Sequence, residues 1–498
     1  MMKFLIQKSL YSLAVAVLVV GCGTDISGNS EEDPDPGSAD FSTFVALGDS
    51  LTAGYADGAL YRDGQIDSLP AILAQQFALA GGGTFTQPLM PVGATGSLTH
   101  SAVDLGRADR FVAVPTGNPS SPVAPAPITP VQSTAIDVRV GNGGFNNMGV
   151  PGAKAIHMTV AGYGENTLGA IAGMTANPYF SRFSFDDTTT LVADFLAQAP
   201  TFFLLWMGNN DILLYAVEGG PGAANPPYGT ASNEVSDPAV FTAAFNGALG
   251  AITTALPNAK GVLATVPDVS TIPYFTTVPF NPIPMDATTA AGANIAYTPY
   301  NGGLLAAEGG AVISTAERIQ RTISFAVGQN ALVIEDDSLT PVIGLPSIRQ
   351  ATANDLIILT ASPKIGTPSD PMNPLTTIWG VGTAMEDTDV LTEAEIGYIE
   401  TARTAYNATI VAATADPNLT LFDAAAKLEE LNTTGISYGS GGVSSAFIQG
   451  GAFSLDGIHP TPRGYAVLAN EIMQVIENDF GASLPPVNPN DYQTIYYQ

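Results

Sequence analysis

In Phe41-Ser42-Thr43-Phe44-Val45-Ala46-Leu47-Gly48-Asp49-Ser50-Leu51, a short apolar run stops at a glycine that is followed by an acid and a hydroxyl. Such a run suits a buried strand leaving a sheet into a loop. Similar runs recur at 201–206, ending at Gly208; at 261–266, ending at Pro267-Asp268; at 331–334, ending at Glu335-Asp336; and at 419–422, ending at Asp423. Strands that are apolar along their whole length predict a parallel sheet buried on both faces. Helical patterns lie between them. Thr392 and Glu395 form a capping box, behind which Ile396, Ile399, Tyr406 and Ile410 keep helical spacing. After Pro462, the residues Leu468, Ile472, Val475 and Ile476 fall along one stripe, the pattern of an amphipathic helix packed on the sheet. Alternating strands and helices predict an α/β fold of three layers, with a mostly parallel sheet between helices.

Composition narrows the chemistry. The chain has 498 residues with 46% hydrophobic and 12% charged, enough apolar material for a core and too little charge for a disordered polyelectrolyte. With 16 Lys and Arg against 45 Asp and Glu, its net charge of −29 disfavours nucleic acid as a partner, because phosphate contacts need clustered cations. One Cys excludes an internal disulfide framework, a cysteine zinc cage and an iron–sulfur centre. No Gly-Lys dipeptide is present for a phosphate loop, and no Gly-x-Gly-x-x-Gly follows the first strand.

The amino terminus has the form of an export signal. Lys3 and Lys8 precede an apolar stretch over 10–20, then Gly21-Cys22 and a polar segment. The apolar stretch is shorter than the roughly 20 residues of a spanning helix. Val19-Val20-Gly21-Cys22 resembles a bacterial lipobox, which implies cleavage of 1–21 and lipid attached to Cys22, so that a membrane is a partner through that anchor. Residues 22–40 then read as a flexible acidic tether, 41–480 as one catalytic domain and 481–498 as a tail. Two stretches read as insertions into the domain. One covers 85–140, with Pro115, Pro119, Pro122, Pro125, Pro127 and Pro130, and the other covers 272–390; proline-rich text of this kind is out of place in a central sheet.

Four short blocks occur in order: Gly48-Asp49-Ser50-Leu51, Asn147-Met148-Gly149-Val150-Pro151-Gly152, Gly208-Asn209-Asn210-Asp211 and Asp456-Gly457-Ile458-His459. Acyl transfer needs a nucleophile, a base, a group that orients the base, and donors where the carbonyl oxygen becomes negative. Ser50, at the carboxyl end of the first strand, can be the nucleophile, His459 the base and Asp456 its orienting acid. The backbone N–H groups of Ser50 and Gly152 and the side-chain amide of Asn210 can form an oxyanion hole. Asp49 reads as a turn residue and Asp211 as a helix cap. His100 and His157 read as surface or satisfied core histidines.

These blocks resemble the SGNH (GDSL) hydrolase family, named for the Ser, Gly, Asn and His that fall here on Ser50, Gly152, Asn210 and His459. The resemblance implies a flavodoxin-like α/β/α domain that hydrolyses esters or thioesters without a metal or cofactor, and it favours Asn210 over Asn209 as the donor. The contexts over 202–213 and 450–470 look most like exported lipoproteins of that family from Gram-negative bacteria, implying an outer-membrane location on the periplasmic face or the cell surface. The expected substrate is a small-molecule, glycan or lipid ester, and activity should fall as acid protonates His459.

Two competitors stand beside that reading. Gly435-Ile436-Ser437-Tyr438-Gly439 matches the Gly-x-Ser-x-Gly elbow of α/β-hydrolases, but it follows a helix end, and the elbow should join a strand to a helix. The long insertions also suit a surface glycan-binding or adhesion module built on the same scaffold. Against it, binding alone gives no reason to keep Ser50, Asp456 and His459 together.

Overall fold

A computed structural model describes residues 33–497 except 119–120, 142, 222–226, 374–375 and 440. Cys22 and the export signal lie outside the described residues. Among those described, no helix is long and apolar enough to cross a membrane.

Five strands form a parallel sheet: β1 (Phe44–Gly48), β2 (Asn147–Gly149), β3 (Phe202–Trp206), β4 (Lys260–Ala264) and β5 (Leu419–Phe422), in spatial order β5-β4-β3-β1-β2. Register is continuous across the centre, with Phe44 opposite Phe202 and Gly48 opposite Trp206. Because side chains alternate along a strand, the central strands β1, β3 and β4 feed two separate cores. Val45, Leu47, Phe203, Leu205 and Leu263 enter one; Phe44, Ala46, Phe202, Leu204, Trp206 and Val262 enter the other.

Helices cover both faces. Helix α1 (Leu69–Leu79) and helix α6 (Pro462–Phe480) pack on the second core, α6 through Tyr465, Ala469, Ile472, Met473 and Ile476. On the first core lie α2 (Asn210–Val217), α3 (Pro238–Ala255) and α4 (Glu393–Ala413), the last through Ile399, Tyr406 and Ile410. The capping box at the start of α4 is formed, Glu395 Oε2 accepting from the Thr392 N–H at 2.6 Å. Helix α5 (Ala424–Thr433) follows β5 directly. The chain is therefore an α/β protein with a five-stranded parallel sheet between helices, as the apolar runs predict.

Two strand assignments differ from the sequence expectation. The run 331–334 is not part of the parallel sheet: Val333–Glu335 pairs antiparallel with Ile348–Gln350. Its apolar residues are buried all the same, so local hydrophobicity cannot distinguish the two settings. Conversely β2 is only three residues, Asn-Met-Gly, and gives no apolar run, yet it pairs with β1 from Ala46↔Asn147 to Gly48↔Gly149.

Within 85–140, Pro115, Pro122, Pro125 and Pro127 sit in a two-stranded antiparallel pairing outside the parallel sheet, Phe111–Asn118 against Ser121–Pro127, where a residue need not donate on both sides. Residues 272–390 hold the long helix Ala287–Gly309 and three two-stranded antiparallel pairings. The compact unit begins at Pro34, before the boundary expected at 41. Asp35 exchanges both backbone hydrogen bonds with Ser483, at 3.0 and 2.8 Å, so the end of the expected tether is paired with the segment after α6. That segment is also packed: Leu484 is buried, and Ala113 N–H donates to the Tyr496 carbonyl at 2.8 Å.

Candidate active site

Parallel sheets bind ligands beyond the carboxyl ends of their strands, where neighbouring connections diverge to opposite sides. Here β1 lies between β2 and β3, and the three segments leaving those strands carry Ser50, Gly152 and Asn209-Asn210. Gly48 lets β1 end tightly: a Cβ there would collide with Thr52 Oγ1 and lie 2.7 Å from the Trp206 carbonyl oxygen. The chain turns at once into a short helix, Ser50–Ala53, capped by Asp49, whose Oδ1 accepts the Leu51 N–H at 3.0 Å. Asp49 is thus the turn residue expected. It also accepts from Asn209 Nδ2 at 2.8 Å, and burial pushes its carboxyl up to about 6.

Ser50 Oγ lies 2.9 Å from His459 Nε2, and His459 Nδ1 lies 2.8 Å from Asp456 Oδ2. The serine and the histidine are 409 positions apart in sequence. Asp456 is held by four further donors. The Ile458 and His459 N–H groups reach Oδ1 at 2.8 Å each, Ser454 Oγ–H reaches Oδ1 at 3.0 Å, and the Gly58 N–H reaches Oδ2 at 2.8 Å. Burial alone would raise its carboxyl, but the charge of His459 and these N–H donors hold it below the usual carboxylate range. An ionised Asp456 fixes the proton on Nδ1 and leaves the Nε2 lone pair facing Ser50. The Tyr55 ring lies against His459 with centroids 4.6 Å apart, limiting where the imidazole can swing.

The turn after β2 is tied to β1 by the Val150 N–H, which donates to the Gly48 carbonyl at 2.9 Å. Gly152 has φ +81°, the left-handed region that favours glycine, and an added Cβ would meet no protein atom nearer than 3.9 Å. The backbone conformation thus calls for glycine, and its open side leaves room for a ligand. Asn210 Nδ2 donates to the Ala153 carbonyl at 3.0 Å, which places the amide against the Gly152 turn with its second N–H still available. Asn209 turns the other way, toward Asp49, and its buried Oδ1 has no partner. Asp211 is not the cap of α2. Asn209 occupies that position, and Asp211 sits inside the helix, accepting the Ala155 N–H at 2.9 Å, with burial raising its carboxyl to about 6.

The other two histidines stay apart from Ser50. His157 stacks on Tyr163 at 4.2 Å and accepts the Lys154 N–H at 2.9 Å; burial pushes its imidazole down to about 4. His100 is buried beside Ser101, 3.7 Å from Asp137. The rival motif is no elbow, because Ile436–Tyr438 forms a hairpin with Gly441–Val443, and Ser437 is exposed on it.

One part of the site is not foreseen from sequence. Asp57, with φ +53° and only 2% exposed, accepts the Leu455 N–H at 2.9 Å and the Tyr61 hydroxyl at 2.7 Å. Its own N–H donates to Ser454 Oγ at 2.9 Å, and Ser454 in turn donates to Asp456. A turn shortly after Ser50 thereby clamps the loop that carries His459. The only local signal is the turn dipeptide Asp57-Gly58.

On one side of Ser50 and His459 lies an apolar cleft that Asn209 also lines, whereas Gly152 and Asn210 do not. No family model matches the chain, and no curated protein matches it in sequence.

Proposed function

We propose that this protein is a serine ester hydrolase with the flavodoxin-like arrangement of SGNH hydrolases. The observation that carries the reading is the hydrogen-bonded chain Ser50–His459–Asp456, assembled from distant parts of the sequence beyond the carboxyl ends of the strands, a place suited to ligand binding. Its strand order, 2-1-3-4-5, is that of flavodoxin-like sheets.

In the proposed cycle Ser50 Oγ attacks the carbonyl carbon of an ester or thioester while His459 Nε2 takes the hydroxyl proton. The oxyanion accepts hydrogen bonds from the N–H groups of Ser50 and Gly152 and from the Asn210 amide. Collapse breaks the bond to the alcohol or thiol, which leaves with the proton from His459. Water then attacks the acyl-enzyme, His459 takes its proton and returns it to Ser50, and the carboxylic acid departs. None of these steps calls for a metal or cofactor. We further propose that the chain is exported and anchored through lipid on Cys22, at the outer membrane, which would present the site to extracytoplasmic esters.

Hydrolysis of p-nitrophenyl esters from acetate to palmitate tests this, with the full-length protein beside Ser50→Ala and His459→Ala. Turnover abolished in both variants supports the reading. Folded protein without turnover of any ester would overturn it.

A further inference from the structure

The cleft beside Ser50 is walled almost entirely by hydrocarbon. Leu51, Trp206 and Leu213 come from the segments around β1 and β3, Leu428 and Leu431 from α5, and Ile436 from the hairpin after it. The Gly435 to Gly439 motif, which sequence offers as a rival nucleophile, therefore contributes a wall through Ile436 rather than chemistry through Ser437. Lys427 is the single Lys, Arg, Asp or Glu in the lining, and its ammonium is taken up by Glu430 at 3.0 Å and Glu471 at 2.7 Å.

We infer that this cleft holds the acyl chain of the substrate, and that the chain is of short to medium length, about four to eight carbons. The inference rests on the hydrolase reading above and adds the substrate class to it. Three groups surround the reacting carbon: the oxygen that becomes negative, the leaving group and the acyl chain. Gly152 and Asn210 are absent from the cleft lining, so the cleft is not the oxyanion site. The deacylating water must later stand where the leaving group stood, within reach of His459, and water needs two or more polar partners to occupy a site. A hydrocarbon-walled space offers it almost none. The acyl group stays bound through both half-reactions and is the group such a wall stabilises. The cleft volume is about 110 Å³, and an apolar cavity of about 150 Å³ takes a six-carbon ring such as benzene. An acetyl group would leave most of it empty, and a long chain would have to extend beyond it.

The test uses the full-length protein and two ester series. With p-nitrophenyl esters, where only the acyl chain changes, kcat/KM should rise roughly tenfold or more from acetate to hexanoate and gain little beyond octanoate. Leu428→Trp, which fills the cleft from α5, should lower the octanoate-to-acetate ratio of kcat/KM at least tenfold. In alkyl acetates from ethyl to octyl, where only the alcohol changes, the wild-type protein should show less than a threefold trend. Preference for acetate or a trend that follows the alcohol would overturn the acyl assignment, and a rate that keeps climbing to palmitate would overturn its chain length, each while leaving the hydrolase intact. Absence of turnover on every ester would instead overturn the hydrolase reading, and the acyl assignment with it.

Discussion

Ser50 and Ser437 each sit among glycines, in Gly48-Asp49-Ser50 and in Gly435-Ile436-Ser437-Tyr438-Gly439, and the fold treats them in opposite ways. Ser50 opens the short helix that follows a central strand of the parallel sheet, is 6% exposed, and has His459 2.9 Å from its oxygen. Ser437 lies exposed on a two-stranded hairpin that packs behind the cleft. Flanking glycines only allow a sharp turn. What makes a serine a candidate nucleophile is the element it follows and the base that a distant segment delivers to it.

The comparison can be broken at four levels. Ser50→Ala should lower kcat/KM on its best ester by roughly 10⁵-fold or more, with Ser437→Ala within about twofold of wild type. Equal losses would erase the distinction. Asp456→Asn keeps the shape of the loop but removes the charge that fixes the His459 tautomer, and should cost about 10⁴-fold in kcat. A loss below tenfold would show that the backbone alone orients the histidine.

Asn210→Ala should cost about 10²- to 10³-fold in kcat, as removal of an oxyanion donor does. Asn209→Ala, which releases Asp49 from one partner, should cost less, and the reverse order would transfer the donor role to Asn209. The smallest effect is expected at Ser454, a positioning residue that reaches the chemistry only through Asp456. Ser454→Ala removes a donor that favours the ionised carboxylate, so the Asp456 pKa should rise, with roughly a tenfold loss in kcat. The further loss of activity in stronger acid, as Asp456 itself protonates, should then begin at higher pH, and an unmoved loss would limit Ser454 to packing. For stability the sign follows from linkage. Because the folded-state pKa of Asp456 is depressed, its contribution is fully present above the unfolded value of about 3.9 and is lost as pH falls through the lower folded value. The stability gap between wild type and Asp456→Asn, read from urea unfolding, should therefore close as pH falls below the unfolded value of about 3.9.

Much of this site is legible in the amino-acid sequence, because its residues sit in short local patterns: an apolar run stopping at Gly48, Asp456 three positions before His459, and an amphipathic helix after Pro462. Elements whose identity depends on a distant partner are not. The run at 331–334 has the same apolar text as a sheet strand, and only its pairing with Ile348–Gln350 takes it elsewhere. Three-residue β2 becomes a strand because β1 lies beside it, not through its own propensity. The bracing of Asp456 by Asp57 and Ser454 joins positions 397 residues apart, and no spacing rule links them. Asn209 and Asn210 are chemically identical neighbours, separated only by the different directions a helix start gives their side chains.

The nucleophile can be marked covalently. The full-length protein is treated with an alkyl fluorophosphonate, which loses fluoride as an activated serine oxygen bonds to phosphorus, and the adduct is located by peptide mass spectrometry. A single stoichiometric adduct on Ser50, lost in His459→Ala, is the predicted result. An adduct on Ser437, or no adduct on folded protein, would contradict the account.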